Sequence, residues 1–557
     1  MLEIAIPILI VGLTLLLAWP LGRYMRWAMD PVNPGRRRLA YEGLCRRLLG
    51  QRVSEDQDWK RSASSMLVFN LVMFVLVFVI LTTQGAHPLN PDGKKAMEPS
   101  LAFNTSASFT SNTNLQHYSG EVSLSYFSQL FAMMWLQFVS AATGIAAGAA
   151  LCRGLAGHSL LGNFYRDCWR ATILILLPIS LIVAAMLMLA GMPMTLKGAA
   201  VATTLEGVTQ TIARGPVAAM VAIKQLGTNG GGYFGPNCTH PFENPGFWSN
   251  VICAVSIILI PMATVWMFGH ITGRMKHAAV VFAVMLVMYA GFATAAMVFE
   301  SQPTAAFRDL PVAGAMNLEG KELRFGPTAG ALWAVTTTST SNGSVNAMHD
   351  SLNPLTGLFP MIGMWLNVEF GGVGVGLINM FIYIILAVFI AGLMVGRTPE
   401  YLTRKIEARE VKLAAIALLV HPLFILGGTA IFAATVWGTG TVLNPGSHGL
   451  SEIFYEFSSA AANNGSGFEG LGDNTVPWNI ATGIVMLLAR FIPIIAPLAI
   501  VGSLAAKKLT PESAGTFRVD TWMFGAVLLG VVLIVGALLF LPLAVLGPIA
   551  EHLSAAS

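Results

Sequence analysis

Gly227-Thr228-Asn229-Gly230-Gly231-Gly232-Tyr233 lies near the middle of the chain, between two long apolar runs. Three consecutive glycines hold no helix and pack no side chains. They suit backbone that turns through positive φ or comes close to something else. Three further stretches repeat the pattern: Ser111-Asn112-Thr113-Asn114, Ser341-Asn342-Gly343-Ser344 and Asn463-Asn464-Gly465-Ser466-Gly467. Asn112, Asn229, Asn342 and Asn464 are separated by 117, 113 and 122 residues. A single Asn-Gly turn between helices means only a turn. Four at near-regular spacing signify a repeated supersecondary unit.

Hydrophobic residues make up 55% of the 557 residues and charged residues 11%. A soluble domain carries about 25% charged residues, so this chain belongs in lipid. A crossing needs about 20 mostly apolar residues. Such runs occur near 4–22, 63–83, 125–151, 171–191, 247–272, 278–298, 354–396, 413–435, 479–503 and 520–546. The fold class expected is an all-α integral membrane protein with ten transmembrane helices. The run 354–396 is long enough for two crossings, but Gly371-Gly372-Val373-Gly374-Val375-Gly376 interrupts it. One broken crossing is the better reading, because irregular backbone persists at membrane depth where protein buries it or a wet cavity solvates it.

Charge placement orients the chain. Of 32 Lys and Arg, 23 lie in five links near 23–61, 152–170, 273–277, 397–412 and 504–518. Eight lie in the long polar links 84–124, 192–246, 299–353 and 436–478, and Arg490 lies inside an apolar run. Cytoplasmic loops carry the positive excess. The basic links are therefore expected inside, with both termini and all four polar turns on the outer side. The N-terminal run has no basic n-region or cleavage site and reads as an uncleaved first span. Five cysteines show no CxxC pair and ten histidines no ligand cluster. With a net charge of +4, lipid is an expected partner and nucleic acid is not.

Each repeated unit reads as helix, re-entrant loop, helix. Segments near 99–110, 215–227, 328–340 and 450–462 are apolar enough to bury and too short to cross. Ending at the Asn turns, each would point a helix C-terminus, with its partial negative charge, toward the bilayer centre. Glycine-rich backbone and neutral Asn, Thr and Ser side chains offer several oxygens to a dehydrated ion. No carboxylate lies in any turn, which favours potassium over a divalent cation. The filter residues expected are Asn112, Thr113, Asn114, Thr228, Asn229, Gly230, Gly231, Gly232, Asn342, Gly343, Ser344, Asn464, Gly465 and Ser466, with Gln116 at the mouth. Units divide as 1–61 (first helix and basic link), 62–170, 171–277, 278–412 with the broken helix, 413–508, and 509–557 (tenth helix).

This layout resembles the superfamily of potassium transporters built from four helix–pore–helix repeats around a pseudo-fourfold axis. Within it the chain is most similar to the potassium-binding A subunits of bacterial Kdp P-type ATPases. The resemblance covers nearly the whole chain and rests on the extra first and tenth spans, on Gly-Thr-Asn-Gly-Gly-Gly-Tyr-Phe-Gly-Pro-Asn (227–237), on Thr-Ser-Asn-Gly-Ser (340–344) and on Asn-Asn-Gly-Ser-Gly-Phe-Glu (463–469). It implies a subunit of the bacterial inner membrane that captures outer K+ through a selectivity filter and passes it through an intramembrane tunnel. The implied partners are a catalytic P-type B subunit, a C subunit and a small F subunit. K+ is then the bound ion, no organic cofactor is expected, and ATP is bound only by the partner. The sequence itself has no GxxxxGK[ST] loop and no Asp-Lys-Thr-Gly motif, so this chain is not expected to be an enzyme by itself.

Glu369 and Arg490 are the ionisable residues deepest in apolar runs. Such residues are costly in lipid and mark ion paths or partners. With Gly371, Gly372 and Gly374 they are candidates for a gate or ion path below the filter; a mutual structural ion pair, or snorkelling to an interface, is the alternative. Two other functions fit parts of the pattern. One is a stand-alone potassium channel or symporter of the same fourfold design. The other is a secondary transporter for an organic solute, which usually has two inverted repeats.

Overall fold

The computed structural model describes residues 2–30, 35–304, 316–394, 396, 398–510 and 517–556. Arg308 and Arg397 of the charge count lie outside the described residues. Among the described residues ten helices are long and apolar enough to cross a membrane: Ala5–Met29, Trp59–Ala86, Tyr126–Ala156, Phe164–Leu189, Phe247–Thr272, Met275–Glu300, Val375–Met394, Ala408–Ala433, Val476–Ala505 and Trp522–Ser554. The protein is a multi-pass, mainly helical membrane protein with almost no sheet. Two small antiparallel hairpins escape the sequence reading: Ala200–Thr203 with Thr209–Ile212, and Glu400–Tyr401 with Arg404–Lys405.

Burial separates central from peripheral spans. The apolar windows of Tyr126–Ala156 and Phe247–Thr272 are 72% and 78% buried, against 22% for Ala5–Met29 and for Trp59–Ala86. The central helix Trp135–Ala156 carries Ala141, Ala142, Gly144, Ala146, Ala147, Gly148, Ala149 and Ala150. Small residues let neighbouring backbone come close where lipid supplies no hydrophobic drive. What comes close is the glycine break. The run 354–396 holds two helices, Pro354–Leu366 and Val375–Met394, and only the second reaches spanning length. Between them Asn367, Phe370, Gly371 and Gly374 all have positive φ.

Four short helices, Pro99–Thr110, Val217–Leu226, Pro327–Ser339 and Ser447–Ala462, stop at the four Asn turns. At about 1.5 Å per residue, none spans a hydrocarbon core of about 30 Å. Proline opens the first and third, where a missing N–H costs nothing, and Glu98 caps the first by accepting from Leu101 N. Nearly every residue in them is buried.

The link 23–61 and the link 152–170 are pinned together by buried charges. Arg170 pairs with Glu42 at 2.7 Å, and Arg153, held by Asp167 at 2.6 Å, donates to Met29 O at 2.7 Å.

Gly374 has φ +78, and a β-carbon there would overlap the Gly144 carbonyl. Gly374→Ala is expected to destabilise by at least the 1–2 kcal/mol, roughly, that the left-handed conformation alone costs an L-residue. Gly530→Ala, with open space around it, should leave the thermal unfolding midpoint in detergent unchanged or raised. Equal midpoints for the two variants would refute the close crossing.

Candidate functional site

Turn 1 (111–114), turn 2 (228–231), turn 3 (341–344) and turn 4 (463–466) leave their short helices in the same way. In each, one backbone N–H reaches back five residues: Thr113 to Ser108 O, Asn229 to Lys224 O, Asn342 to Thr337 O and Asn464 to Ser459 O, at 2.8–2.9 Å. Each turn also has two residues at positive φ: Asn112 and Asn114, Thr228 and Gly230, Ser341 and Gly343, Asn463 and Gly465. The equivalent of Asn229 in turn 1 is therefore Thr113. Matching the turns by Asn112 is off by one residue, because the backbone bond sets the register and the side-chain name does not.

The turns bond in a closed cycle, each to a neighbouring turn or to the end of the short helix that leads into it. Asn112 Nδ2 donates to Thr228 O at 2.9 Å. Asn342 Nδ2 donates to Lys224 O at 3.1 Å, and Ser344 Oγ to Gln225 Oε1 at 3.0 Å. Asn464 Nδ2 donates to Thr337 O at 2.9 Å, and Asn463 Nδ2 to Thr113 Oγ1 at 3.0 Å. Backbone contact follows the same cycle. A β-carbon on Gly230 would overlap the Asn342 carbonyl, one on Gly343 the Asn464 carbonyl, and one on Gly465 the Thr113 carbonyl. Asn114 takes the corresponding place in turn 1.

All fourteen expected filter residues lie in this cycle or directly against it, and all but Gly465 are buried. Ser466 Oγ donates to Asn464 Oδ1 at 2.6 Å. Asn114 Oδ1 accepts from Gln137 Nε2 at 3.4 Å, while its Nδ2 is buried without a partner among the described residues. In turn 2 most carbonyls are already held by side-chain amides. Asn112 donates to Gly227 O and Thr228 O, Asn237 to Gly230 O at 2.6 Å, Gln137 to Gly231 O at 3.0 Å, and Gln116 to Gly232 O at 3.1 Å. Among the described residues no donor meets the Asn229 carbonyl. Gln116 also accepts from Gly232 N at 2.7 Å, so it grips turn 2 at both ends of its amide.

The glycine break sits against the turns. Val373 N donates to Thr228 Oγ1 at 3.0 Å, and Gly371 N to Ser339 O at 2.9 Å. A β-carbon on Gly372 would come 3.5 Å from Thr228 Oγ1. Glu369 is 0% exposed; its Oε2 accepts from Ser339 Oγ at 2.7 Å, and its Oε1 has no partner among the described residues. Arg490 is buried beside Gly144, and its Nη2 lacks a partner among the described residues. Buried polar atoms without a partner are expensive, and the mutual ion pair that the sequence leaves open is not formed among the described residues.

Sequence reasoning missed the charges behind the turns. Lys224, fully buried, contacts Glu243 and donates to Asn237 Oδ1 at 2.6 Å, and Asn237 in turn donates to Gly230 O. Lys321 pairs with Glu300 at 3.1 Å. His448 bridges Asp350 at 2.9 Å and Glu551 at 2.8 Å; burial opposes its charge, but the two carboxylates raise its pKa to about 10. The available signal was Lys224 itself, the one charge in an otherwise apolar short helix.

A cycle of neutral oxygens with no carboxylate is suited to a monovalent cation, and comparison with known proteins points the same way. Residues 8–553 match the family model of the potassium-transporting ATPase A subunit. The chain is 47% identical to the potassium-transporting ATPase potassium-binding subunit of Flavobacterium psychrophilum, over 97% of each chain. It is 48% identical to that of Phocaeicola vulgatus over 98% of each, and 50% identical to that of Pseudomonas putida over 92% of this chain and 91% of the relative. The chain therefore belongs to the family of potassium-transporting ATPase A subunits.

Proposed function

We propose that this chain is the potassium-binding, channel-like subunit of an ATP-driven uptake pump, and that the four turns form its selectivity filter. The observation that carries the reading is the closed cycle of buried, carboxylate-free turns, each abutting the backbone of the next. Carbonyl oxygens at Thr113, Asn229, Asn342 and Asn464, with neighbouring hydroxyl and amide oxygens, replace the water of a dehydrated K+. Gln116 stands at the mouth. Glu369, with its unpartnered Oε1, and the glycine break receive the ion below the turns. Arg490, a fixed positive charge without a carboxylate, hinders direct passage and favours a sideways exit through a tunnel to a catalytic P-type B subunit. C and F subunits complete the assembly, and ATP binds only to the partner. The chain lies in the bacterial inner membrane with both termini and the turns on the outer side.

Topology is tested by cysteine labelling with an impermeant reagent on intact cells. Cysteines in 84–124, 192–246 and 436–478 should react from outside, and those in 23–61 and 398–412 should be protected. Outside labelling at 398–412 would mean that 354–396 crosses twice, and the four-unit arrangement would fail.

The filter is tested at Gly230. Gly230→Ala forces a β-carbon into left-handed backbone, costing roughly 1–2 kcal/mol, and into the Asn342 carbonyl. On folded, assembled complex, the half-maximal K+ concentration for ATPase stimulation should rise about tenfold or more, since about 1.4 kcal/mol is a factor of ten. Discrimination against Na+ and NH4+ should fall with it. Gly291→Ala, in open space, should match the unmodified protein. Unchanged affinity and selectivity in Gly230→Ala would remove turn 2 from the filter.

A further inference from the structure

Turn 1 differs from the other three in having no glycine. Asn112 and Asn114 both hold positive φ, at +67° and +55°, where an L-residue is sparsely tolerated. Such backbone persists only where its surroundings over-determine it. The residues that leave turn 1, Leu115–His117, supply that restraint. Gln116 makes its reciprocal pair with Gly232 on one side. His117 reaches the other way, into the fourth unit.

His117 is fully buried between two acceptors. Its Nδ1 lies 2.7 Å from Asn479 Oδ1 and its Nε2 lies 3.0 Å from Glu456 Oε1. Asn479 donates from its own Nδ2 to Ser100 Oγ at 3.1 Å and to Asn474 Oδ1 at 3.3 Å, so its oxygen faces the imidazole. A carboxylate and an amide oxygen only accept, so both ring nitrogens carry protons. Glu456 belongs to the Ser447–Ala462 helix that ends at turn 4, and Asn479 to the Val476–Ala505 span.

We propose that His117 is a positioning residue for the potassium site: its two donated hydrogen bonds hold the glycine-free turn 1 against the fourth unit, and high affinity requires both donors. This rests on the filter reading above. The charged groups facing the ring are Glu456 and Asp473, the latter at 3.9 Å; burial raises the Asp473 pKa to about 7, so it is ionised where the imidazolium is lost. Burial opposes the imidazolium, but these carboxylates and Asn479 raise the His117 pKa to about 9. A histidine pKa raised above its ordinary 6.5 or so stabilises fully below that value. The contribution is lost as pH rises through about 9.

The test is K+-stimulated ATPase activity of the assembled complex in nanodiscs between pH 6.5 and pH 10, about the range that brackets the shifted and ordinary histidine values. In the unmodified complex the half-maximal K+ concentration should be flat near neutrality and rise about tenfold at high pH, the order of one lost charge-assisted hydrogen bond. The K+/Rb+ ratio should fall in parallel. Glu456→Gln should move the midpoint down by about one unit or more, as removal of an adjacent opposite charge does. His117→Gln should give weakened affinity at every pH and no step; should it fail to assemble, the Glu456→Gln shift decides. A step that persists in His117→Gln, a midpoint unmoved in Glu456→Gln, or no step in the unmodified complex overturns the proposal. Gly230→Ala separates the two ideas. If it changes K+ affinity at neutral pH while the step ignores His117 and Glu456, only this inference fails; if it changes nothing, the filter reading fails.

Discussion

Where Gly230 meets the Asn342 carbonyl there is no room for even one additional carbon, and the same holds for Gly343 against Asn464 and Gly465 against Thr113. Backbone of one turn rests on backbone of the next, around a cycle cross-linked by Asn112, Asn342, Asn463 and Asn464. Buried backbone groups must find partners, and these four irregular turns find many of theirs in one another and in the neighbouring short helices. Most of the chain can be understood as what keeps them at that separation.

The supports act from three directions. Short helices deliver each turn from one side, and the broken helix meets the turns from another through Val373 and Gly371. Behind them stand buried ion pairs, Lys224 with Glu243, Lys321 with Glu300 and His117 with Glu456. Buried pairs are a poor source of net stability, since desolvation offsets most of their attraction, but breaking one is costly. Here they hold position. Lys224 orients Asn237, and Asn237 holds the Gly230 carbonyl. The carbonyls so occupied leave Asn229 as the oxygen in turn 2 without a protein donor among the described residues.

Much of this was legible in the sequence because its signals are local. Spans announce themselves by length and hydropathy, the turns by Asn and Gly, and the short helices by apolar stretches too brief to cross. What stayed hidden depends on distance along the chain or on backbone detail. His117 and Glu456 are 339 residues apart, and no periodicity joins them. The register of turn 1 was misplaced by one because Asn112 imitates Asn229, whereas the bond from Thr113 to Ser108 sets the true equivalence. The sequence does not say whether Glu369 and Arg490 pair, and only their placement shows that they do not among the described residues. The hairpin at 200–212 carries a weak alternation in a polar link, too short to distinguish from coil.

The central claim is that one K+ site lies inside the cycle of turns. The most direct measurement is the anomalous diffraction of thallium, a K+ substitute, in crystals of the assembled complex. The account predicts a peak enclosed by the backbone carbonyls of Thr113, Asn229, Asn342 and Asn464, diminished when K+ competes. A peak confined to Glu369 or to another part of the membrane region, with none among the four turns, would contradict it.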